Sequence, residues 1–152
     1  MSKRNTNVNV KKILVGIDGS EYSMKALEFA ISLAKKYNSI LIALTAFNIP
    51  DIYKIFENKE NYNSVSIEDE IQNSKNFLKS IKDSADVAQI NICTEFIDSK
   101  STPDAVITEY AQSKGVDHII LGYRGRSIEN LLVGSIANSV ISKSECTVTV
   151  VK

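Results

Sequence analysis

The segment His118-Ile-Ile-Leu-Gly122-Tyr-Arg-Gly125, which leads on to Gly134-Ser135, joins a short apolar run to a glycine-rich turn. The run is typical of a buried strand, and the periodic residues after Ser135 indicate a helix. This order suits anion binding, because glycine lets the backbone approach an oxyanion and a helix start presents unpaired N–H groups. The same glycines would equally serve only to turn the chain and to begin the helix.

Apolar periodicity divides the rest of the chain into alternating strands and helices. Short, nearly unbroken apolar runs indicate buried strands, whereas apolar residues at three- and four-residue steps indicate amphipathic helices. The predicted strands are Lys12 to Ile17, Ile40 to Phe47, Ile90 to Phe96, His118 to Leu121 and Cys146 to Val151. The predicted helices are Glu21 to Tyr37, Ile67 to Ile81, one from Pro103 to Gly115, and one that begins at Ser135. The third strand alternates apolar and polar residues, which predicts one wetter face.

Cap residues support these boundaries. Ser20 or Ser23 can cap the first helix, and Thr102 stands before Pro103 as the cap of the third. Gly115 is expected to stop that third helix.

The alternation of strand and helix predicts an α/β fold with a doubly wound parallel sheet of five strands. Its crossovers are expected to be right-handed. In such sheets, ligands bind beyond the carboxyl ends of the strands, where the winding direction switches. Asp18 ends the first strand and Gly122 ends the fourth, so both face one crevice if these strands are neighbours. A carboxylate there can accept hydrogen bonds from a ribose hydroxyl or a base amine, which indicates a nucleotide.

Two segments carry no clear period. Met1 to Val10 is predicted to be a loose tail, with a single domain over residues 11–152. Asn48 to Ser64 is a long excursion, either a lid over a pocket or a surface loop.

The charge balance limits the possible partners. The 152 residues include 18 Lys and Arg and 18 Asp and Glu, so no overall field favours nucleic acid or an anionic membrane. No apolar run approaches a membrane span or a signal peptide, and we expect a cytoplasmic protein. Cys93 and Cys146 lie in apolar runs without metal-ligand spacing, which favours buried, reduced thiols over a redox pair.

Three stretches resemble the universal stress protein family. Ile13 to Ser23 is similar to the family's opening strand and helix, Gly122 to Ala137 to its nucleotide loop, and Cys146 to Lys152 to its closing strand. The match covers nearly the whole chain in the right order. The resemblance implies a three-layer, Rossmann-like fold of the adenine nucleotide α-hydrolase type. It also implies a small stress-response or regulatory protein that binds ATP with a possible Mg²⁺ or Mn²⁺ ion.

The resemblance also implies roles for individual residues. Asp18 would contact the adenine or ribose side, and Ala46 would border the base. Backbone N–H groups around the glycines and the Ser135 hydroxyl would surround the ribose and phosphates, and Arg124 and Arg126 would offset phosphate charge. The full candidate nucleotide-binding set is Gly16, Asp18, Ala46, Leu121, Gly122, Arg124, Gly125, Arg126, Gly134, Ser135 and Ile136.

The chain departs from the family pattern at two points. Eight residues separate Gly125 from Gly134, one fewer than the usual nine, and position 137 is Ala where a hydroxyl is common. The deletion is either absorbed within Ser127 to Asn130, so that the anion site survives, or it moves Gly134 and opens the site.

Three classes of function remain after these observations. The first is adenine-nucleotide binding. The second is an enzyme, either a slow ATPase or a nucleotidyl transferase, for which no catalytic residue is assigned. The chain has no P-loop, and His118 lies at the start of its strand, at the opposite edge from the glycine loop. The third is an interaction module without ligand, which would act through its dimer surface or through the Asn48 to Ser64 excursion. We expect a homodimer formed through the strand Cys146 to Val151, because this strand can pair across a two-fold axis if it lies at the sheet edge.

Overall fold

The computed structural model describes residues 8–48, 67–84, 87–125 and 134–152. The strands in this part of the chain are β1 Lys12–Gly16, β2 Ile40–Asn48, β3 Asn91–Ser99, β4 His118–Gly122 and β5 Thr147–Val151. The helices are α1 Glu21–Tyr37, α2 Ile67–Lys82, α3 Pro103–Lys114 and α4 Ser135–Lys143. All strand pairings are parallel and the sheet order is β3-β2-β1-β4-β5. The predicted α/β class and five-stranded parallel sheet are confirmed.

The sheet lies between two helical layers, each with its own apolar core. On one face, Ile13 and Val15 of β1 pack with Ala30 of α1 and Ile81 of α2. On the other face, Leu14 packs with residues of α3 and α4, including Ile107 and Val140. The alternating side chains of β1 therefore enter opposite cores, which explains why its sequence is apolar throughout.

Helix ends follow the predicted caps, with one exception. The Ser20 side chain accepts a hydrogen bond from the Ser23 amide at 3.1 Å, and α1 begins at the next residue. Gly115 ends α3 with a φ of 65°, a left-handed conformation that glycine adopts readily. Thr102 stands at the N-cap of α3, but its side chain makes no capping hydrogen bond. Proline at the first helical position explains this helix start without the hydroxyl.

β3 corrects the prediction of one wetter face. Residues 92–97 are all half-buried, on both faces of the strand. Ile92 and Phe96 pack toward α1 and α2, whereas Cys93 and Ile97 pack toward α3 and α4. Because β3 is the outermost strand on its side, the helices cover each of its faces only partly.

The two cysteines are free thiols, but they are half-buried rather than buried. Cys93 belongs to β3 and Cys146 directly precedes β5, which are the two outer strands. Outer strands are less fully covered, and this corrects the expectation of buried thiols. Burial raises the pKa of both thiols, which is typical of unreactive cysteines.

The remaining predicted segments have mixed outcomes. Val10, predicted in the tail, is buried in the core, and its carbonyl accepts a hydrogen bond from the Ser39 hydroxyl. Most of the Asn48 to Ser64 excursion lies outside the described residues. Asn48 itself ends β2 and is buried.

Candidate functional site

The carboxyl ends of β1 and β4 meet at the centre of the sheet. The two strands are neighbours, with Val15 opposite Ile120. From β1 the winding proceeds to β2 on one side, and later to β4 on the other. This is the topological switch point at which parallel α/β sheets bind ligands. The prediction that Asp18 and Gly122 share a crevice required these two strands to be neighbours, and they are.

Asp18 is half-buried at this edge. Its Oδ1 accepts a hydrogen bond from the Ser20 amide at 2.9 Å, which fixes the carboxylate beside the start of α1. A Cβ atom added to Gly125 would lie 2.9 Å from the Asp18 Oδ2. Such a contact is too short for a real side chain, so the glycine lets the loop backbone approach this carboxylate. Asp18 and the loop backbone at Gly125 therefore lie against each other at this edge of the sheet, which is the candidate crevice.

Gly122 has a packing role at the same edge. A Cβ there would lie 2.6 Å from the Tyr22 carbonyl carbon and 2.8 Å from the Ser23 nitrogen. Both are backbone atoms of α1, so they cannot move aside by a rotamer change. The absence of a side chain at Gly122 lets α1 approach β4 directly. This accounts for the glycine without reference to any ligand.

The start of α4 forms a further wall of the crevice. The Gly134 amide donates to the Tyr123 carbonyl oxygen at 2.9 Å, which ties the helix start to the loop after β4. The Asn138 amide donates to the Gly134 carbonyl oxygen at 3.0 Å. The amides of residues 135–137 therefore precede this helical hydrogen bond and form the positive end of the helix. Ser135 is exposed, so its hydroxyl is accessible from solvent.

Arg124 adds a positive charge beside this helix start. Its guanidinium lies 5.1 Å from the centre of the Tyr123 ring. Its Nε atom is buried and has no hydrogen-bond partner among the described residues. A buried donor without an acceptor is costly, and an anion in the crevice would supply one.

The structure places the other described residues of the predicted set in the sheet or against its core. Ala46 is half-buried in β2, opposite Ile97 of β3. Leu121 is buried in the core on the α3 and α4 side, and Ile136 packs against the same core. A Cβ at Gly16 would lie 2.7 Å from the Leu121 Cδ2 atom, so Gly16 makes room for that side chain. Arg126 and the spacer through residue 133 lie outside the described residues.

A pair of tyrosines that sequence reasoning missed borders the crevice. The rings of Tyr22 and Tyr123 meet edge to face, with 5.9 Å between their centres. Lys25 lies over the first ring at 5.3 Å, and Lys152 lies over the second at 5.3 Å. Tyr22 comes shortly after Ser20, and Tyr123 directly follows Gly122. Because these two turns lie at the same edge of the sheet, the sequence could have indicated that the two tyrosines are close together.

The described residues offer a limited set of chemical groups. They contain no group of three or more His, Cys, Asp or Glu side chains able to hold a metal. The histidine, His118, begins β4, and its Nε2 atom lies 2.7 Å from the Thr149 hydroxyl. Burial lowers the pKa of His118. His118 therefore lies at the amino end of β4, away from the carboxyl ends of the strands where the candidate site is.

Two cavities lined by described residues lie away from this crevice, at α2 and β3 and between α3 and α4. Strand topology and glycine packing locate the candidate site more specifically than cavity size does. None of the helices in the described part of the chain is long and apolar enough to cross a membrane.

Comparison with known sequences gives one family. The model of the universal stress protein family matches residues 9–152. A universal stress protein of Methanocaldococcus jannaschii is 32% identical over 151 residues, a match that covers 98% of this chain and 86% of the relative.

Comparison with solved structures gives the same fold. A universal stress protein from Lactobacillus plantarum has a TM-score of 0.75 and 23% identity, with 96% of this chain and 100% of that chain covered. A universal stress protein in complex with cAMP has a TM-score of 0.62 and 23% identity, covering 93% of this chain and 96% of that one. An Archaeoglobus fulgidus universal stress protein in complex with dAMP has a TM-score of 0.66 and 16% identity, covering 95% and 99%.

Proposed function

Because the chain belongs to the universal stress protein family, we propose that it binds an adenine nucleotide, ATP, in the crevice between Asp18 and the start of α4. The protein would act in stress response or regulation in the cytoplasm rather than as a metabolic enzyme. The proposal rests most on one observation: the Gly125 backbone lies against the Asp18 carboxylate, so a base-side acceptor and a phosphate-side loop share one crevice.

The phosphate side would be formed by α4 and Arg124. Three amides at residues 135–137 precede the helical hydrogen bond from Asn138, and the Ser135 hydroxyl is exposed beside them. The buried Arg124 Nε atom lacks an acceptor among the described residues. Hydrogen bonds to charged groups contribute about 1.5–3 kcal/mol each, and micromolar affinity needs about 8 kcal/mol, so several of these donors must act together.

The base and ribose side would be formed by Asp18. Its Oδ1 atom already accepts from Ser20, which leaves Oδ2, on the side of Gly125, to accept from a ribose hydroxyl or a base amine. Neighbours of the same fold that were solved with cAMP and dAMP support an adenosine phosphate as the class of ligand.

A divalent cation would come with the nucleotide rather than from a protein cage. Asp18 is the carboxylate that the described residues bring to this crevice, and they contain no cluster of three or more potential metal ligands. Mg²⁺ is commonly held by one or two carboxylates together with substrate phosphates. Asp18 and the phosphates would therefore suffice, and the cation would neutralise phosphate charge.

The proposal is tested by looking for nucleotide that co-purifies with the protein and by measuring how added nucleotide changes Tm. Denatured protein should release adenine nucleotide on chromatography with mass detection. Addition of ATP with Mg²⁺ to emptied protein should raise Tm by roughly 5–10 °C at a concentration about 100 times Kd. Asp18→Asn should reduce that rise, whereas the exposed control Glu28→Gln should retain it. No released nucleotide together with no shift at millimolar ATP would count against the proposal.

A second candidate function, an interaction module without nucleotide, is favoured by one contact. The Gly134 amide, a predicted phosphate donor, is already occupied by the Tyr123 carbonyl oxygen. If the shortened spacer keeps this bond in solution, the anion site lacks one donor. Under this alternative, the functional surface would be the outer strand β5, through which we propose that the protein forms a homodimer.

A further inference from the structure

A groove runs between α2 and the outer strand β3. In the sheet, β2 and β1 separate β3 from β4 and its glycine loop. The groove is an open depression of about 460 Å³, lined by Lys75, Leu78, Lys79, Lys82, Asp83, Thr94 and Phe96. Its floor is formed by Leu78, which is buried, and by half-buried Phe96. The Lys75 Nζ atom lies 5.2 Å from the centre of the Phe96 ring.

The groove is positively charged. Lys75, Lys79 and Lys82 are spaced by four and three residues, so they share one face of α2. Asp83 is the one acidic residue of the lining. The acidic residues of α2 lie in its first turn, Glu68 to Glu70, at the other end of the helix. Glu95 of β3 is directed to the opposite face, where it accepts a hydrogen bond from Tyr110.

The groove adjoins a sheet edge. Among the described residues, β3 pairs with β2 and has no strand on its other side. It is nine residues long, which is enough for an extended peptide to pair along it. Outer strands present unpaired N–H and C=O groups, and peptide recognition by strand addition uses these groups for affinity.

We propose that β3 and the α2 lysines form a docking surface for an extended acidic segment of another protein. The segment pairs with the edge of β3 that no described strand covers, and its carboxylates on the α2 side face Lys75, Lys79 and Lys82. Alternate residues of a strand point to one face, so a segment with an acid at every second position matches the row of lysines.

The charge of the groove argues against a second copy of this chain as the occupant. Two β3 edges related by a two-fold axis would bring two sets of these lysines close together, and like charges resist such pairing. Nucleic acid is also disfavoured as the occupant. It would bind through the lysine charges alone and would leave the backbone groups of β3 unused. The chain also has no net positive charge.

The test is fluorescence anisotropy with a labelled peptide of alternating glutamate and valine, titrated with the full chain at low salt. We expect saturable binding that weakens about tenfold in the triple variant Lys75→Gln, Lys79→Gln, Lys82→Gln. The matched control Lys11→Gln, Lys35→Gln, Lys36→Gln removes the same charge elsewhere and should bind as the unaltered protein does. A peptide of the same sequence with N-methylated backbone should bind poorly, because it keeps the carboxylates but cannot pair as a strand.

Any one of five results would overturn the proposal. The first is no binding to the unaltered protein, the second is an equal loss of binding in both triple variants, and the third is equal binding of the N-methylated peptide. The fourth is displacement of the peptide by single-stranded DNA of equal charge at equal concentration, which would make the groove a general anion surface. The fifth is a change in the mass of the lysine variants by light scattering, which would mean that the groove is a contact between copies.

Discussion

At residue 122 the chain has no room for a methyl group, because backbone atoms of α1 lie within 2.8 Å of the position that a Cβ would occupy. Gly122→Ala must therefore separate α1 from β4. Overpacking of this kind costs about 1–3 kcal/mol and more where backbone must move. We expect a loss of about 3 kcal/mol in the free energy of unfolding, measured by urea denaturation.

Gly134→Ala is the matched control for that substitution. Its added Cβ would lie 3.4 Å from the nearest atom, the Arg124 Cα, and the others are farther away. We expect a loss of less than about 1 kcal/mol, within the range of mild substitutions. Equal losses for the two variants would contradict the packing role assigned to Gly122.

His118 should make the stability of the protein decrease in mild acid. Burial lowers the pKa of its imidazole in the folded state, so the unfolded chain binds this proton more readily. The contribution of neutral His118 to stability should be fully present above the unfolded-state pKa of about 6.5. It should be lost as the pH decreases through this value. We expect a lower Tm at pH 5 than at pH 7.5, and a smaller difference in His118→Gln. The same pH dependence in both proteins would contradict this assignment.

At the scale of elements, Asp104 joins α3 to α4. Its Oδ2 accepts hydrogen bonds from the Ser139 hydroxyl at 2.6 Å and the Lys143 ammonium at 2.8 Å, and the residue is 9% exposed. Burial raises the pKa of this carboxyl, but the hydrogen bonds from Lys143, Ser139 and Thr102 outweigh it and hold the pKa well below its usual range. The bridge is therefore charged at all but strongly acidic pH.

Asp104→Asn should lower the free energy of unfolding by about 2 kcal/mol at pH 7, because it weakens a hydrogen-bonded ion pair in a nearly buried position. Glu109→Gln, an exposed acid on the same helix, should have almost no effect. Thermal or urea denaturation of the three proteins measures both. An unchanged stability in Asp104→Asn would show that the bridge between the two helices is dispensable.

Sequence reasoning was most successful where local chemistry sets an element. The bounds of α1 follow from the Ser20 cap and a regular apolar face, and Gly115 ends α3 because it can adopt a positive φ. It was least successful where long-range packing decides. The alternation in β3 predicted a wet face, but helices flank both faces of this strand.

The candidate site shows the same division. The pattern of strands predicted a parallel sheet with Asp18 and Gly122 at the carboxyl ends of two strands, but that these strands are neighbours came from the structure. The role of Gly122 could not, because it depends on how closely α1 approaches β4. The engagement of the Gly134 amide by Tyr123 likewise depends on tertiary geometry that no motif specifies.

At the scale of the whole molecule, β5 is the outer strand opposite β3. Val148 and Val150 face the core beside α4, and Val151 packs on the other face, so both faces of β5 are packed. In the described part of the chain no strand pairs with its outer edge. We expect a homodimer through this edge at micromolar concentration, detected by light scattering. Thr147→Lys, at the exposed start of β5, should shift the population toward monomer, whereas Ser113→Lys on α3 should not. A monomer in the unaltered protein would contradict this prediction.

The most direct measurement of nucleotide binding is a titration of isotope-labelled protein with ATP and Mg²⁺, followed by amide chemical shifts. The account predicts that the largest shifts occur at Gly125, Ser135 and Ile136, with smaller changes near Asp18, and that they saturate. Absence of shifts at millimolar ATP, or shifts concentrated at the groove between α2 and β3, would contradict a nucleotide site at the switch point of the sheet.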